Sequence, residues 1–229
     1  MTTFALDTAT PDPALALVAG DEVLAEAWLG RAPGSGRRVL QAAHHLLAMA
    51  ALRPADLSEV VVGVGPGGFT GIRIGIATAL GLGQALRIPV HGASTLEALA
   101  QGMVGATRPG EALLVPIIDA RRRQVFAAAY AAGADGSLTE VISPSAWDPT
   151  DLSAALAAAG PCVLAGDGAD LVPVPAQGHR ATAAADRIMA SNLIARVRRG
   201  GALPVAPQYL RLPDAEENRL RREGHGAPA

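Results

Sequence analysis

The sequence predicts an α/β protein of two related halves, each a mixed sheet with flanking helices. Three observations support this prediction. A β-branched run at residues 60–64 leads through a Gly-rich loop into an apolar helix over residues 72–86. In each half an apolar strand reaches an Asp, Asp7 or Asp119, before a turn and a second strand. Hydrophobic residues make up 50% of the 229 residues, which is ample material for a core.

The stretch from residue 60 to residue 86 carries the strongest local signal. Its first five residues are typical of a strand that is buried on both faces, and Gly and Pro residues then end that strand. From residue 72 the apolar spacing becomes helical on two opposite sides, so this helix has to be covered on most of its surface. The residues on these sides are Ile72, Ile76, Leu80 and Leu86, and opposite them Ile74, Ala77, Gly81 and Ala85.

The Gly-rich loop before this helix is a natural place for an anion, so two phosphate-binding motifs were tested. Gly63, Gly65 and Gly68 fit the dinucleotide pattern G-x-G-x-x-G, but the acidic residue expected about 20 positions later is missing. The same loop fits a P-loop frame ending in Thr70, but Phe69 stands where the phosphate-reaching Lys is required. The sequence therefore predicts neither a dinucleotide site nor a working P-loop.

The composition of the chain argues against several classes of protein, namely disulfide-bonded, zinc-cluster, membrane and strongly RNA-binding proteins. Cys162 is the single cysteine, which excludes an intrachain disulfide and a Cys-based zinc cluster. The N-terminal residues lack a signal-peptide pattern and no apolar run approaches the roughly 20 residues of a membrane span, so we expect a cytoplasmic protein without membrane contact. A formal charge of −2 and 3% aromatic residues do not favour strong RNA binding by the chain alone.

Residues 63–86, GVGPGGFTGIRIGIATALGLGQAL, resemble the signature of the bacterial TsaB family, also called YeaZ. The usual form of that signature is G-P-G-S-F-T-G-x-R-I-G, followed by small residues and A-x-G-L, and Gly68 stands where Ser is usual. Three further stretches resemble the family, so the similarity extends over nearly the whole chain. They are GASTLEALA at 92–100, IIDARRRQVFAAAY at 117–130 and PQYLR at 207–211.

The resemblance implies an actin/Hsp70-like (ASKHA, ribonuclease H-like) fold with two subdomains. We place the boundary in the Gly- and Pro-containing connector, which gives subdomains at 1–102 and 103–213 and a charged tail at 214–229. The resemblance also implies a function beside TsaD and TsaE in making threonylcarbamoyladenosine in tRNA. TsaD would transfer the threonylcarbamoyl group, TsaE would act as an ATPase, and this chain would be a non-catalytic partner that meets tRNA only through the complex.

In actin-like folds the first hairpin faces nucleotide phosphate and metal, and LDTAT at residues 6–10 resembles that element. The residues that the resemblance implies for a nucleotide interface are Asp7, Thr8, Thr10, Asp119 and Arg121. Two interpretations remain open for these residues. They contact nucleotide, or they only satisfy N–H groups of their own turns. Residues 121–123 are all Arg, which fits either a partner's phosphate or carboxylate or a solvated turn.

The helix over residues 72–86 is the predicted docking element. The residues that we expect to contact a partner are Gly71, Ile72, Gly75, Ile76, Ala79, Leu80 and Gly83. The row Gly71, Gly75, Ala79 and Gly83 presents almost no side-chain volume, so another backbone can approach it closely. This row either meets a partner or seats the helix against its own sheet. Because an uncovered apolar patch usually marks an interface, we expect a homodimer of the chain alone and a heterodimer with TsaD through the same surface.

Catalytic and metal-binding residues are not predicted. The five His residues do not form the H-x-x-x-H pair through which TsaD relatives bind metal, and H-E-x-x-H and G-x-S-x-G are absent from the sequence. The expected cofactor requirement is none, or at most a weak or shared ATP or ADP site at a complex interface. Two alternatives remain, an actin-like ATPase or nucleotide-binding protein that acts on its own and a glycopeptidase-like hydrolase.

Overall fold

A computed structural model describes residues 1–30 and 35–211, and within them the chain forms two five-stranded sheets. The tail predicted at 214–229 lies outside the described residues. The strands are β1 (Thr2–Asp7), β2 (Ala14–Ala19), β3 (Glu22–Trp28), β4 (Glu59–Gly63), β5 (Val90–Ala93), β6 (Leu113–Arg121), β7 (Gln124–Ala132), β8 (Leu138–Trp147), β9 (Cys162–Ala165) and β10 (Gly178–Arg180). The helices are α1 (Ser35–Met49), α2 (Phe69–Leu86), α3 (Thr95–Met103), α4 (Pro149–Ala159) and α5 (Ala190–Arg198).

The first sheet has the strand order β3-β2-β1-β4-β5. Strands β1 to β3 form an antiparallel meander, whose second turn, between β2 and β3, contains Gly20 at a φ of 57°. Strands β4 and β5 run parallel to β1, so the carboxyl ends of these three strands meet at one edge. Every residue of β4 is buried, as its continuous β-branched run predicted.

The second sheet repeats this arrangement, with the order β10-β9-β6-β7-β8. Strands β6 to β8 form the antiparallel meander, and β9 and β10 run parallel to β6. Asp7 at the end of β1 and Asp119 near the end of β6 therefore occupy equivalent strands. The prediction of two mixed sheets with flanking helices is confirmed.

The helices divide the core into layers. Helices α1 and α2 cover one face of the first sheet, where Phe4, Leu6, Val60 and Val62 meet Ile72 and Ile76. The opposite face packs on α3, α5 and part of the second sheet, and α4 covers the outer face of that sheet. Helix α5 thus belongs to the second half by position but packs on the first sheet. The subdomain boundary near residue 102 stays a prediction.

Helix α2 is by length and composition long and apolar enough to cross a membrane, and it is the single such helix among the described residues. Its inner residues, however, pack on the sheet of the same chain, as the core helix of a globular domain does.

A polar contact fastens α5 to the edge strand β3. The Ser191 N–H donates to Glu26 Oε1 at 2.9 Å, and the Ser191 hydroxyl lies within hydrogen-bond distance of both carboxylate oxygens. Trp28 Nε1 donates to the Ile188 carbonyl at 2.8 Å, and the Arg187 guanidinium stands over the Trp28 ring. Because α5 has no side-chain cap of its own, the Glu26 carboxylate serves its N-terminus.

We expect Glu26→Ala to lower the free energy of unfolding by about 1 kcal/mol, because it removes a carboxylate from a helix N-terminus. Urea denaturation measures this change. Glu22→Ala, on the exposed end of the same strand, is the matched control and should leave stability nearly unchanged. Equal effects of the two substitutions would contradict the capping role.

Candidate functional site

The Gly-rich loop between β4 and α2 is bound on several sides by the chain itself. Its Gly68 is the N-cap residue of α2 and supplies no side-chain cap. Three backbone hydrogen bonds join the loop and its flank to other segments: Gly68 N to Ala9 O at 2.7 Å, Thr95 N to Gly65 O at 2.9 Å, and Gln208 N to Val64 O at 2.8 Å. The Gly68 N–H, the loop donor among these groups, is thus bound to a carbonyl of the chain rather than left open for an anion.

Asp7 is sealed inside the first half. Its Oδ1 accepts the Ala9 N–H at 2.7 Å, and its Oδ2 accepts the Thr95 hydroxyl at 2.7 Å. A Cβ on Gly63 would stand only 1.8 Å from Oδ2, so the backbone of β4 closes the carboxyl group in. Burial raises the pKa of Asp7 above its ordinary value, although both hydrogen bonds oppose that shift. Of the two interpretations given above, these contacts favour the one in which Asp7 accepts hydrogen bonds from its own chain instead of facing a nucleotide.

Thr8 connects the end of β1 to α2. Its hydroxyl donates to the Gly71 carbonyl at 2.6 Å, and its own carbonyl oxygen would lie 2.0 Å from a Cβ at Gly71. Thr10 is less engaged, with a long hydrogen bond of 3.4 Å to the Asp12 carbonyl. The hydroxyl of Thr8 is therefore bound within the chain, where it holds the end of β1 against α2. Thr10 is only partly buried, so its hydroxyl is nearer to solvent.

The second hairpin is also closed by its own contacts. Asp119 Oδ1 accepts the Arg121 N–H at 2.7 Å, and Oδ2 pairs with the Arg121 guanidinium at 2.8 Å. The Asp119 N–H donates to Asp167 Oδ1 at 3.1 Å. A Cβ on Gly168 would stand 2.7 Å from the Asp119 nitrogen, so the loop after β9 lies directly against β6.

A cavity of about 630 Å³ opens between the halves. It is lined by residues 8–11 and 67–71 from the first half, 118–121 from the second and 208–211 from the last described segment. Four of the five residues predicted for a nucleotide interface come together here, namely Thr8, Thr10, Asp119 and Arg121. Asp7 is not in the lining. The volume is that of an ordinary small-molecule pocket.

Three side chains at the edge of this cavity form a stack that the sequence reasoning missed. The rings of Phe69 and Tyr209 are stacked, with centroids 4.8 Å apart and an interplanar angle of 25°. The Arg73 guanidinium lies 3.8 Å from the Phe69 centroid, and its Nε donates to the Tyr209 hydroxyl at 2.8 Å. The stack fixes the last described segment on the start of α2. Phe69, Arg73 and Tyr209 belong to the quoted motifs, which was the available signal.

The inner face of α2 rests on the chain's own sheet. Of the seven residues predicted to contact a partner, five are buried and Gly71 is half-buried. The buried five are Ile72, Gly75, Ile76, Ala79 and Gly83. A Cβ at Gly75 would stand 2.5 Å from Thr8 Oγ1, and one at Gly83 would stand 2.3 Å from Val90 Cγ2. The small row thus seats the helix against its sheet, as the alternative describes, and Leu80 is the predicted contact that stays exposed.

The comparisons with known proteins agree with this architecture. A family model described as TsaD, tRNA N6-adenosine threonylcarbamoyltransferase, matches residues 34–171. An uncharacterised protein of Mycobacterium tuberculosis is 36% identical over 94% of each chain. TsaB of Bacillus subtilis is 39% identical over 130 residues, 57% of this chain and 55% of that protein. The structure of YeaZ from Pseudomonas aeruginosa superposes with a TM-score of 0.74 at 25% identity, covering 91% of this chain and 99% of that one.

The chain belongs to the TsaB/YeaZ family. Its departure from the family signature at Gly68 now has a structural context. Gly68 is exposed, its backbone is extended with φ −65° and ψ 122°, and the nearest atom to an added Cβ is the Ala9 carbonyl oxygen at 3.4 Å. A Ser side chain would therefore have room to cap α2. Gly68 lacks that cap, and its backbone conformation is one that Ser could also adopt.

The accessible side of α2 lies opposite to the small row, and we call it the outer face of α2. It consists of Ile74, which is half-buried, and of four exposed residues, Ala77, Leu80, Gly81 and Ala85. A Cβ on Gly81 would meet no atom within 4 Å. Next to it, α1 exposes Leu40 and Met49. The apolar surface that the sequence predicted exists, but on the side of α2 opposite to the small row.

We expect Asp7→Asn to make unfolding less dependent on pH. Because the folded protein raises the pKa of Asp7, the folded state holds that proton more tightly, and ionisation on going from acidic to neutral pH costs stability. The neutral amide removes this loss, so the stability of the variant relative to the parent should increase as pH rises. Urea denaturation of both proteins at about pH 4 and pH 7 measures this difference in the free energy of unfolding.

Asp7→Ala is the matched comparison, because it leaves the Ala9 N–H and the Thr95 hydroxyl without their acceptor and should cost about 2 kcal/mol. If the stability of Asp7→Asn relative to the parent did not increase between about pH 4 and pH 7, the raised pKa of Asp7 would be contradicted.

Gly75→Leu should destabilise the isolated chain by about 3 kcal/mol, because its side chain has to displace Thr8 and Val62. Gly81→Leu, at the open position on the same helix, should be at least as stable as the parent, since Gly is a poor helix former. Thermal unfolding of the two variants compares the two faces directly. A Gly75→Leu protein as stable as the parent would mean that the inner row is not in tight contact.

Proposed function

We propose that this chain is a non-catalytic partner and scaffold of TsaD, with TsaE, in threonylcarbamoyl transfer to adenosine of the tRNA anticodon loop. TsaB proteins of Bacillus subtilis and Escherichia coli are named as tRNA threonylcarbamoyladenosine biosynthesis proteins, and membership of their family brings this role to the chain. The observation that carries the partner role is the outer face of α2, an apolar surface on a helix whose inner side is already packed. The chain works in the cytoplasm and meets tRNA through the complex.

The surface chemistry supports docking by close helix contact. Leu80 is 46% exposed, and Ala77, Gly81 and Ala85 around it are small. A partner helix can approach such a face closely and bury Leu80 among its own side chains. Met49 on the neighbouring helix α1 is 80% exposed, which adds apolar area at the same side of the sheet. An exposed apolar surface of this kind marks an interaction site in a protein that stays in water.

The same face would serve two partners in turn. Alone, the chain pairs with a second copy through a two-fold, self-complementary contact of the outer face of α2. When TsaD is present it takes the place of that copy, so the homodimer and the heterodimer exclude each other. No new surface is needed for the exchange, because both partners cover the same apolar residues.

The contacts that the two equivalent Asp residues make within the chain support a non-catalytic role. Asp7 is buried with both carboxylate oxygens engaged, and Asp119 is held by Arg121 and by the loop after β9. An independent ATPase would need one of these carboxylates to hold a metal ion, but Asp119, the one that lines the cavity, is already paired with Arg121. A weak or shared ATP or ADP site with the partner remains compatible with the cavity. The hydrolase alternative gains nothing from Cys162, because burial raises the pKa of its thiol and disfavours the nucleophilic thiolate.

We expect Leu80→Glu to give a folded monomer that no longer binds TsaD. The carboxylate is solvated in the free chain but would be buried without a partner in either dimer, which weakens binding roughly a thousandfold. Light scattering at micromolar concentration measures the homodimer, and calorimetry with TsaD of the same organism measures the heterodimer.

Two controls separate docking from folding. Ala157→Glu places the same charge on an exposed position of α4 and should change neither assembly. Ile76→Glu places it on the buried face, where Ile76 is 7% exposed, and should unfold the chain rather than only dissociate it. The docking proposal would be wrong if Leu80→Glu bound TsaD as tightly as the parent.

A further inference from the structure

The hairpin between β6 and β7 is built from residues that suit its backbone poorly. Arg121 pairs with Gln124, so Arg122 and Arg123 form a two-residue turn. All three arginines have positive φ, at 63°, 54° and 61°. A two-residue hairpin turn with positive φ at both positions favours Asn-Gly, and residues with a Cβ are strained there. The sequence Arg-Arg-Arg is therefore a poor choice for the fold alone.

Strain at an exposed turn is informative because such strain is concentrated at functional sites. All three arginines of this turn are exposed, so their side chains are not part of the hydrophobic core. Asp119 supports the arrangement by accepting both the backbone N–H and the guanidinium of Arg121. The fold thus holds a strained, triply cationic turn in place. We call residues 121–123 the arginine turn.

The arginine turn stands at the mouth of the cavity between the halves. Arg121 lines this cavity together with Arg211, whose guanidinium donates to Gln124 Oε1 at 3.0 Å. Among the described residues that line the cavity, the acidic one is Asp119, and its carboxylate is already paired with Arg121. Arg73 is not a lining residue itself, but it lies on the stacked rings of Phe69 and Tyr209, which both line the cavity. Arginines from the β6–β7 hairpin, from the last described segment and from α2 therefore line the cavity or contact residues that do.

The placement of these cations indicates the shape of the anion. Arg121 and Arg211 line the cavity, whereas Arg122 and Arg123 at the tip of the turn do not. A single small anion inside the cavity would not meet the tip, but a chain of phosphates passing across the mouth would meet both sets. Arginine is suited to this task, because its planar guanidinium binds phosphate oxygens in a bidentate manner.

We propose that the arginine turn, with Arg211 and Arg73 beside it, binds the backbone phosphates of the RNA substrate once the chain is docked on its partner. This inference rests on the proposed function, which brings an RNA to the complex. Arg73 is on α2 itself, so an RNA held by a partner on the outer face of α2 reaches the cavity mouth at the near end of the same helix. Docking raises the local RNA concentration, which compensates for the −2 charge of the chain.

The test uses the assembled complex and an unmodified tRNA transcript as the probe. The variant R122N/R123G replaces the turn by the pair that its backbone favours, so its thermal unfolding temperature should equal or exceed that of the parent. Its affinity for TsaD should be unchanged. RNA affinity of the complex should fall about 10-fold at about 0.15 M salt, and the slope of log affinity against log salt should decrease by about 1 to 2.

The matched control is R53Q/R108Q, which removes the same two charges. Both arginines are exposed and precede β4 and β6, at the strand ends opposite to the cavity. This control should bind tRNA as the parent does. Equal RNA affinity of the turn variant and the control would overturn the proposal. Loss of TsaD binding with unchanged RNA affinity would also overturn it, because the turn would then face an acidic protein surface.

If the parent chain does not bind TsaD, the proposed function fails, and the RNA contact is tested on the chain alone. At about 0.02 M salt, phosphate contacts are strong enough to measure without a partner. Weaker binding of the turn variant than of R53Q/R108Q would support the arginine turn as an RNA site by itself. Equal binding would overturn it.

Discussion

The close contact between Thr8 and the first turns of α2 is the constraint on which the rest of the structure depends. There is no room for a Cβ at Gly71 or Gly75, because the carbonyl and hydroxyl oxygens of Thr8 occupy that space. The helix is seated deeply enough for Ile72 and Ile76 to reach the core of the first sheet. The same seating turns the opposite, equally apolar side of the helix to solvent. The exposed apolar surface that we propose for docking is therefore a consequence of how the inner row packs.

The sequence predicted the element but not its orientation. The apolar helix was predicted over residues 72–86 and forms over Phe69–Leu86, and the repeated strand, Asp and turn predicted the two similar sheets. The choice between the two faces of α2 was not accessible, because both carry apolar residues at helical spacing. That choice depends on Thr8, which approaches the helix from another strand. Likewise an Asp at position 7 suits either a metal ion beside a nucleotide or the anchoring of its own turn, and its contacts with the distant Thr95 and Gly63 are those of an anchor.

The two halves share a strand order but use their equivalent Asp residues differently. Asp7 is enclosed by β4 and by Thr95, whereas Asp119 is partly exposed and holds an arginine. In each case a contact from the chain itself takes the acceptor oxygens that a ligand would otherwise need. A fold of this class therefore does not by itself establish that these two Asp residues handle nucleotide in this chain. The proposals made above rest instead on surface residues, namely the outer face of α2 and the arginines near the cavity.

Arg73 joins these two surfaces physically. It is an exposed residue of α2, and its guanidinium lies on Phe69 and binds the Tyr209 hydroxyl, so the start of the helix and the segment at 207–211 are held together. Gln208 in that segment also binds the end of β4 through the Val64 carbonyl. Through these contacts the start of α2 and the segment with Tyr209 and Arg211 are held in one arrangement beside the cavity. Because a stacked and hydrogen-bonded arginine has few alternative positions, Arg73 keeps the surface proposed for docking and the cavity in a fixed relation.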